Sequence, residues 1–154
     1  MTIWIDGALR GGSSVPRSSS FAPFETMGAL GADVPLWSRH IERLRGAAER
    51  LGLAFAPSPA LRAAATEVLL KNGHADGVLR LSLVPAEGGV CEVLSSRRRS
   101  PVRIVKLLPT VLDRPESAPP GDLKAEPRRY YDLVRQQAQD GDADDGIVVG
   151  QDGC

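Results

Sequence analysis

The stretch Phe24-Glu-Thr-Met-Gly-Ala-Leu-Gly-Ala-Asp-Val-Pro-Leu-Trp-Ser-Arg-His-Ile-Glu-Arg-Leu-Arg-Gly-Ala-Ala-Glu-Arg-Leu51 passes from a strand pattern to a helix pattern. Phe24 to Met27 and Pro35 to Trp37 flank the glycine-rich Gly28 to Asp33, which predicts two strands joined by a tight connection. Ser38 has the chemistry of an N-cap, and Ile41, Leu44, Ala48 and Leu51 recur at helical spacing before Gly52. An amphipathic helix from Ser38 to Leu51 is therefore expected directly after the strands.

On the N-terminal side, Thr2 to Ile5 alternate and end at Asp6-Gly7, a turn signal, so a hairpin to Ala8-Leu9-Arg10 is expected, with loop from Gly11 to Ser14 and at Ser18 to Ser20. On the other side, Ser58 is positioned to cap a second helix with Leu61, Ala65, Val68 and Leu69 on one face, stopping at Asn72-Gly73. Gly77 to Val84, Val90 to Leu94 and Val102 to Leu108 read as strands, giving a mixed sheet packed on two helices. Leu112 to Gly121 holds three prolines and resists both helix and central strand, which places a domain boundary there. Beyond it come Asp122-Leu-Lys124, a helix from about Pro127 to Gln139, a strand Gly146 to Val149 and a turn at Asp152-Gly153. The fold class is α/β: a small α+β domain over 1–110, a linker over 111–121, and over 122–154 the start of a larger domain that looks cut off.

Bulk properties narrow the function classes. The chain has 154 residues, 42% hydrophobic and 25% charged, suited to a soluble core of one domain or a little more. Lys and Arg balance Asp and Glu at 19 each, so no net field recruits nucleic acid, an acidic membrane or a polyanion. Cys91 and Cys154 lack metal-ligand spacing and are expected as free thiols in a reducing, cytoplasmic compartment. Neither a charged leader before an apolar core nor an apolar run of about 18 residues is present, so secretion and membrane insertion are not expected.

Local chemistry offers few candidates, since no nucleotide-binding glycine loop or nucleophile elbow occurs. Lys124 ends a short apolar segment before a helix and beside the linker, where a desolvated amine could form an imine; on composition alone a surface lysine is the commoner reading. Arg43, one turn after Arg39, could clamp a phosphate with its guanidinium fork, but from spacing alone a solvated face with Glu42, Arg45 and Glu49 is the favoured reading. His40 and His74 are isolated, Arg97 to Arg99 read as a solvated turn, and Trp4, Trp37, Tyr130 and Tyr131 read as core or interface residues.

Taken in order, Phe24-Glu-Thr-Met27, Pro35-Leu-Trp-Ser-Arg-His-Ile-Glu-Arg-Leu44, Leu123-Lys124, Arg128, Arg135-Gln-Gln-Ala138 and Ala143-Asp-Asp-Gly-Ile147 resemble class IV aminotransferases, the fold-type-IV pyridoxal-phosphate enzymes. The stretch from Arg39 to Gly52 looks most like aminodeoxychorismate lyase and its bacterial relatives. The resemblance implies that Lys124 holds pyridoxal 5'-phosphate through a Schiff base and moves the proton at the substrate's α carbon. It also implies that Arg43 binds the cofactor phosphate and that Phe24 lines the substrate pocket. The 122–154 portion would be an incomplete cofactor domain, the substrate a small amino compound, and the assembly a homodimer by analogy. The reaction implied is lysis of aminodeoxychorismate to 4-aminobenzoate, a folate-pathway step, or a related transamination.

Four departures from the family pattern accompany the likeness. Phe21-Ala22-Pro23 replaces a Gly-Asp-Gly, and Pro85-Ala86 stands where an Arg-Gly pair would contact a substrate carboxylate. Pro127 occupies a position three after the lysine that is usually polar, and the chain stops at Cys154, before the glutamate that pairs with the pyridine nitrogen. They leave room for a different reading, a catalytically inactive paralogue or fragment that acts only by binding, and for the chain being one piece of a longer product.

Overall fold

The computed structural model describes residues 1–12, 16, 20–101, 104–110, 112, 114–115, 118 and 123–148. Its described residues fall into two compact units, one drawn from Met1–Ser100 and Gly121–Glu126, the other from Pro101–Pro120 and Pro127–Cys154.

In the first unit, β1 (Thr2–Ile5), β2 (Ala8–Gly11), β3 (Ala22–Gly28), β4 (Val78–Ala86) and β5 (Gly89–Arg97) are joined by a later two-residue strand, called β7 (Ala125–Glu126). The sheet order is β2-β1-β5-β4-β3-β7, and every pairing is antiparallel. The expected mixed sheet is thus corrected to an antiparallel one: β1–β2 and β4–β5 are hairpins, and a pair of helices returns the chain from β3 to its antiparallel neighbour β4. The β1–β2 turn works because Asp6 and Gly7 both take positive φ, 42° and 92°, the combination that a tight twisted hairpin demands.

Two helices, α1 (Trp37–Arg50) and α2 (Leu61–Lys71), cover one face of this sheet. Ile41, Leu44 and Ala48 of α1 and Leu61, Ala65, Val68 and Leu69 of α2 pack with Trp4, Met27, Leu79, Leu81, Leu83 and Leu94 in one core. Both helices end alike, with Gly52 and Gly73 left-handed and the next residue's amide bonded back to Ala48 and Leu69.

Two starts differ from expectation. Pro35 to Trp37 is no strand: Leu36 takes φ 58° at the cap position and α1 begins at Trp37, so Ser38 lies inside the helix and makes no cap. The tight turn that bonds Leu30 to Asp33 leaves no length for a second strand. The second helix starts at Leu61; just before it the Ser58 hydroxyl accepts from the Ala60 amide at 3.3 Å and the Ser58 amide donates to Glu92 Oε1 at 3.0 Å.

The second unit holds β6 (Leu107–Thr110), α3 (Arg129–Asp140) and β8 (Asp145–Val148), with β6 and β8 parallel. Of the strand expected over 102–108, residues 102 and 103 lie outside the described residues and 104–106 are not strand; pairing begins at Leu107. The helix expected from Pro127 starts at Arg129, since the helical hydrogen bonds begin from the Arg128 carbonyl. Packing also cuts the chain differently from the 110/122 boundary: β6 sits with α3 and β8, while Leu123 to Glu126 sit with the first sheet. Most of the 111–121 linker, the Asp152-Gly153 turn and Cys154 lie outside the described residues.

Candidate functional site

Strand alternation sends neighbouring β3 side chains to opposite faces, so Phe24 and Glu25 diverge. Glu25 is buried, and its Oε2 accepts from Arg43 Nη2 at 2.5 Å and lies 2.9 Å from His40 Nδ1. His40 and Arg43 are one helical turn apart on α1, which is why a single carboxylate can meet both. A buried carboxylate needs such partners, and a guanidinium held at one corner keeps its remaining donors directed outward.

Phe24 is also buried, with the Arg80 guanidinium 3.6 Å from its ring centre and Lys124 Nζ 5.2 Å from the same centre. Such cation–π contacts stabilise by about 0.5–1 kcal/mol each where water has access. Arg80 is itself fixed by bonds from Nε to Ser82 Oγ at 3.1 Å and from Nη2 to Glu126 Oε1 at 2.9 Å. The Lys124 carbonyl accepts from the Phe24 amide at 2.9 Å, so the lysine segment continues the edge of the sheet.

Phe24, Glu25, Arg43, Arg50, Leu123 and Lys124 line one open cleft of about 470 Å³. The three residues singled out in the sequence, Phe24, Arg43 and Lys124, are therefore brought together. Glu25, Arg50 and Arg80 were not assigned roles there. Alternation through β3 does carry a signal for Glu25, a charged residue on the strand face that also bears Met27; Arg50 and Arg80 carry none beyond being charged.

The other candidates have structural duties. His74 Nδ1 contacts Ser96 Oγ at 3.0 Å, and Arg99 donates to the Ala29 carbonyl at 3.1 Å, so the arginine run is more than a solvated turn. Pro85 and Ala86 end β4 opposite Val90 and Gly89, and Ala22 and Pro23 open β3 opposite Glu126 and Ala125. No group of three or more His, Cys, Asp or Glu suited to a metal occurs among the described residues. No helix among them is long and apolar enough to cross a membrane.

A second cleft, of about 440 Å³, is lined by Trp4, Asp6, Ser58, Val90 and Glu92. Burial raises the Glu92 carboxyl above its ordinary range, the Ser58 amide opposing it. Cys91, next in the strand, is free and buried, and burial with Asp6 nearby pushes its thiol up to about 12. It is a poor nucleophile as a result.

An amine and guanidinium groups on one cleft are the donor set that an aldehyde-bearing phosphate cofactor requires, so the residues fit that group. Residues 22–154 match the amino-transferase class IV family. The chain belongs to that family.

Solved structures with the class IV aminotransferase fold agree. The branched-chain amino acid aminotransferase from Escherichia coli superposes with a TM-score of 0.73 at 16% identity, over 99% of this chain and 59% of that one. A hypothetical aminotransferase from Mycobacterium tuberculosis in its PLP-bound form gives 0.75 at 20%, over 99% and 63%. A candidate 4-amino-4-deoxychorismate lyase from Legionella pneumophila gives 0.73 at 20%, over 90% and 58%. At these identities the likeness is one of fold, and the chain spans about three fifths of the length of these class IV structures. No curated protein matches the chain.

Proposed function

We propose that this chain supplies the lysine and a phosphate contact of a pyridoxal-phosphate-dependent class IV enzyme acting on a small amino substrate. The reaction is lysis of aminodeoxychorismate to 4-aminobenzoate and pyruvate, or a related transamination. One observation carries the reading: Lys124 and Arg43, proposed from the sequence for amine and phosphate chemistry, line the same cleft with Phe24 as a wall. The likeness in fold to a candidate 4-amino-4-deoxychorismate lyase and to branched-chain aminotransferases supports both versions of the chemistry.

Bound in the cleft, pyridoxal phosphate supplies an electron sink for charge developing at the carbon next to the substrate nitrogen. Lys124 holds it through the side-chain amine and, once released, takes and returns the proton at the substrate's α carbon. Arg43, anchored by Glu25, offers the fork that matches a phosphate. Phe24 gives the cofactor an apolar wall that excludes water. The unit built from β6, α3 and β8 is proposed as the beginning of the cofactor domain, and a cytoplasmic homodimer follows by family analogy alone.

The test is to add pyridoxal phosphate, reduce with borohydride and map the modified residues by mass spectrometry. Only three lysines exist, Lys71, Lys106 and Lys124, so the modified residue is easy to assign. Selective labelling of Lys124 that disappears in Lys124→Ala is expected. Equal labelling of all three would overturn the proposal and favour a chain that acts only by binding. Release of 4-aminobenzoate from aminodeoxychorismate, set against amino-group exchange between an amino acid and a 2-oxo acid, separates lyase from transaminase.

A further inference from the structure

We infer that Arg80 and Glu126 form a latch that sets the position of the Lys124 amine; this rests on the reading of Lys124 as the cofactor lysine. The segment carrying Lys124 has little backbone to hold it. β7 is two residues long and, among the described residues, pairs with Ala22 and Pro23 of β3 alone, and proline has no amide to donate. Phe24 adds one bond, from its amide to the Lys124 carbonyl.

Side chains provide the rest. The register sets Phe24 opposite Ser82 and Thr26 opposite Arg80, so Arg80 is two strands inward from β7, with β3 between. From there it reaches across β3 to Glu126 at 2.9 Å, while Ser82 holds its Nε and Phe24 supports its plane. Glu126 and Lys124 are two apart in an extended segment and so point to one face of the sheet. Fixing the first directs the second, whose Nζ lies 5.2 Å from the centre of the ring that Arg80 covers. Two cations thus share one ring, and Glu126 compensates the charge of the first. Arg80 and Glu126 are positioning residues: they act on the amine through Phe24 and the β7 backbone.

The experiment compares wild type, Arg80→Gln, Glu126→Gln and the double variant in two readouts. Hydrogen exchange of the segment 123–126 is expected to quicken about tenfold in each single variant, while exchange in β4 and β5 is unchanged. The pH for half-maximal labelling of Lys124 by pyridoxal phosphate and borohydride is expected to move in opposite directions. It falls in Glu126→Gln, where the Arg80 charge is uncompensated beside the amine, and rises in Arg80→Gln, where Glu126 alone remains, by about half a pH unit each. The double variant returns near the wild-type midpoint. Glu25, Arg43 and Arg50, the other charged groups on this cleft, are the same in all four proteins. Unchanged exchange at 123–126, or midpoints that do not separate, would overturn the latch. If the wild type shows no selective labelling of Lys124, it is the cofactor reading that falls, and the latch stands or falls on the exchange result.

Discussion

A carboxylate with a side chain only 7% exposed costs stability unless its charge is met, and Glu25 is met by Arg43 and His40. Glu25→Gln keeps the shape and removes the charge, so a loss of about 1–2 kcal/mol is expected in urea unfolding, discounted because Arg43 itself faces solvent. Weaker labelling of Lys124 by pyridoxal phosphate should accompany it. Glu92 presents the opposite case. Its carboxyl is raised by burial, so the folded state holds its proton to higher pH than the unfolded chain does. Stability is lost as pH rises from the ordinary value of 4.5 through the raised one. Glu92→Gln is expected to raise the urea midpoint at pH 7 and to have a smaller effect at pH 4, since the amide still accepts from Ser58. For Cys91, with its thiol near 12, iodoacetamide at pH 8 should modify the unfolded chain and spare the folded one, as read by mass spectrometry.

Elements were more legible than their ends. Ile41, Leu44 and Ala48 announced α1 by spacing, and the glycines after α1 and α2 announced their stops, because positive φ is a property that one residue type serves best. Starts were less legible: a tight turn puts Ser38 inside α1, and at Ser58 the hydroxyl accepts from the Ala60 amide while the backbone amide donates to Glu92, with the helix itself beginning only at Leu61. Leu44 is fully buried between α1 and the sheet, so Leu44→Ala is expected to cost about 2–5 kcal/mol, measured by chemical denaturation. The cleft was half legible. Phe24, Arg43 and Lys124 are carried by motif, whereas the contribution of Arg80 depends on a strand register that brings Ala22 opposite Glu126, across a separation no local pattern encodes.

At the scale of the whole molecule, the two units differ in how much structure supports each strand. β4 and β5 are central in a six-stranded sheet with helices on one face, while among the described residues β6 and β8 pair with each other alone and pack on α3. A two-stranded sheet is marginal by itself, so amides of β6 and β8 should exchange faster than those of β4 and β5. The return of residues 123–126 to the first sheet was not legible in the sequence, because β7 is too short to have a periodicity. That return has a consequence for the order of events at the ribosome. A chain emerging from its N-terminus exposes β1 to β5 ahead of the segment that carries Lys124, so the open end of β3 is the last part of the sheet to gain its partner. Pro23 at that open end is a poor template for another chain, which lowers the risk of edge-to-edge aggregation during the wait. The amine of Lys124 thus leaves the ribosome after every strand of the sheet that receives it.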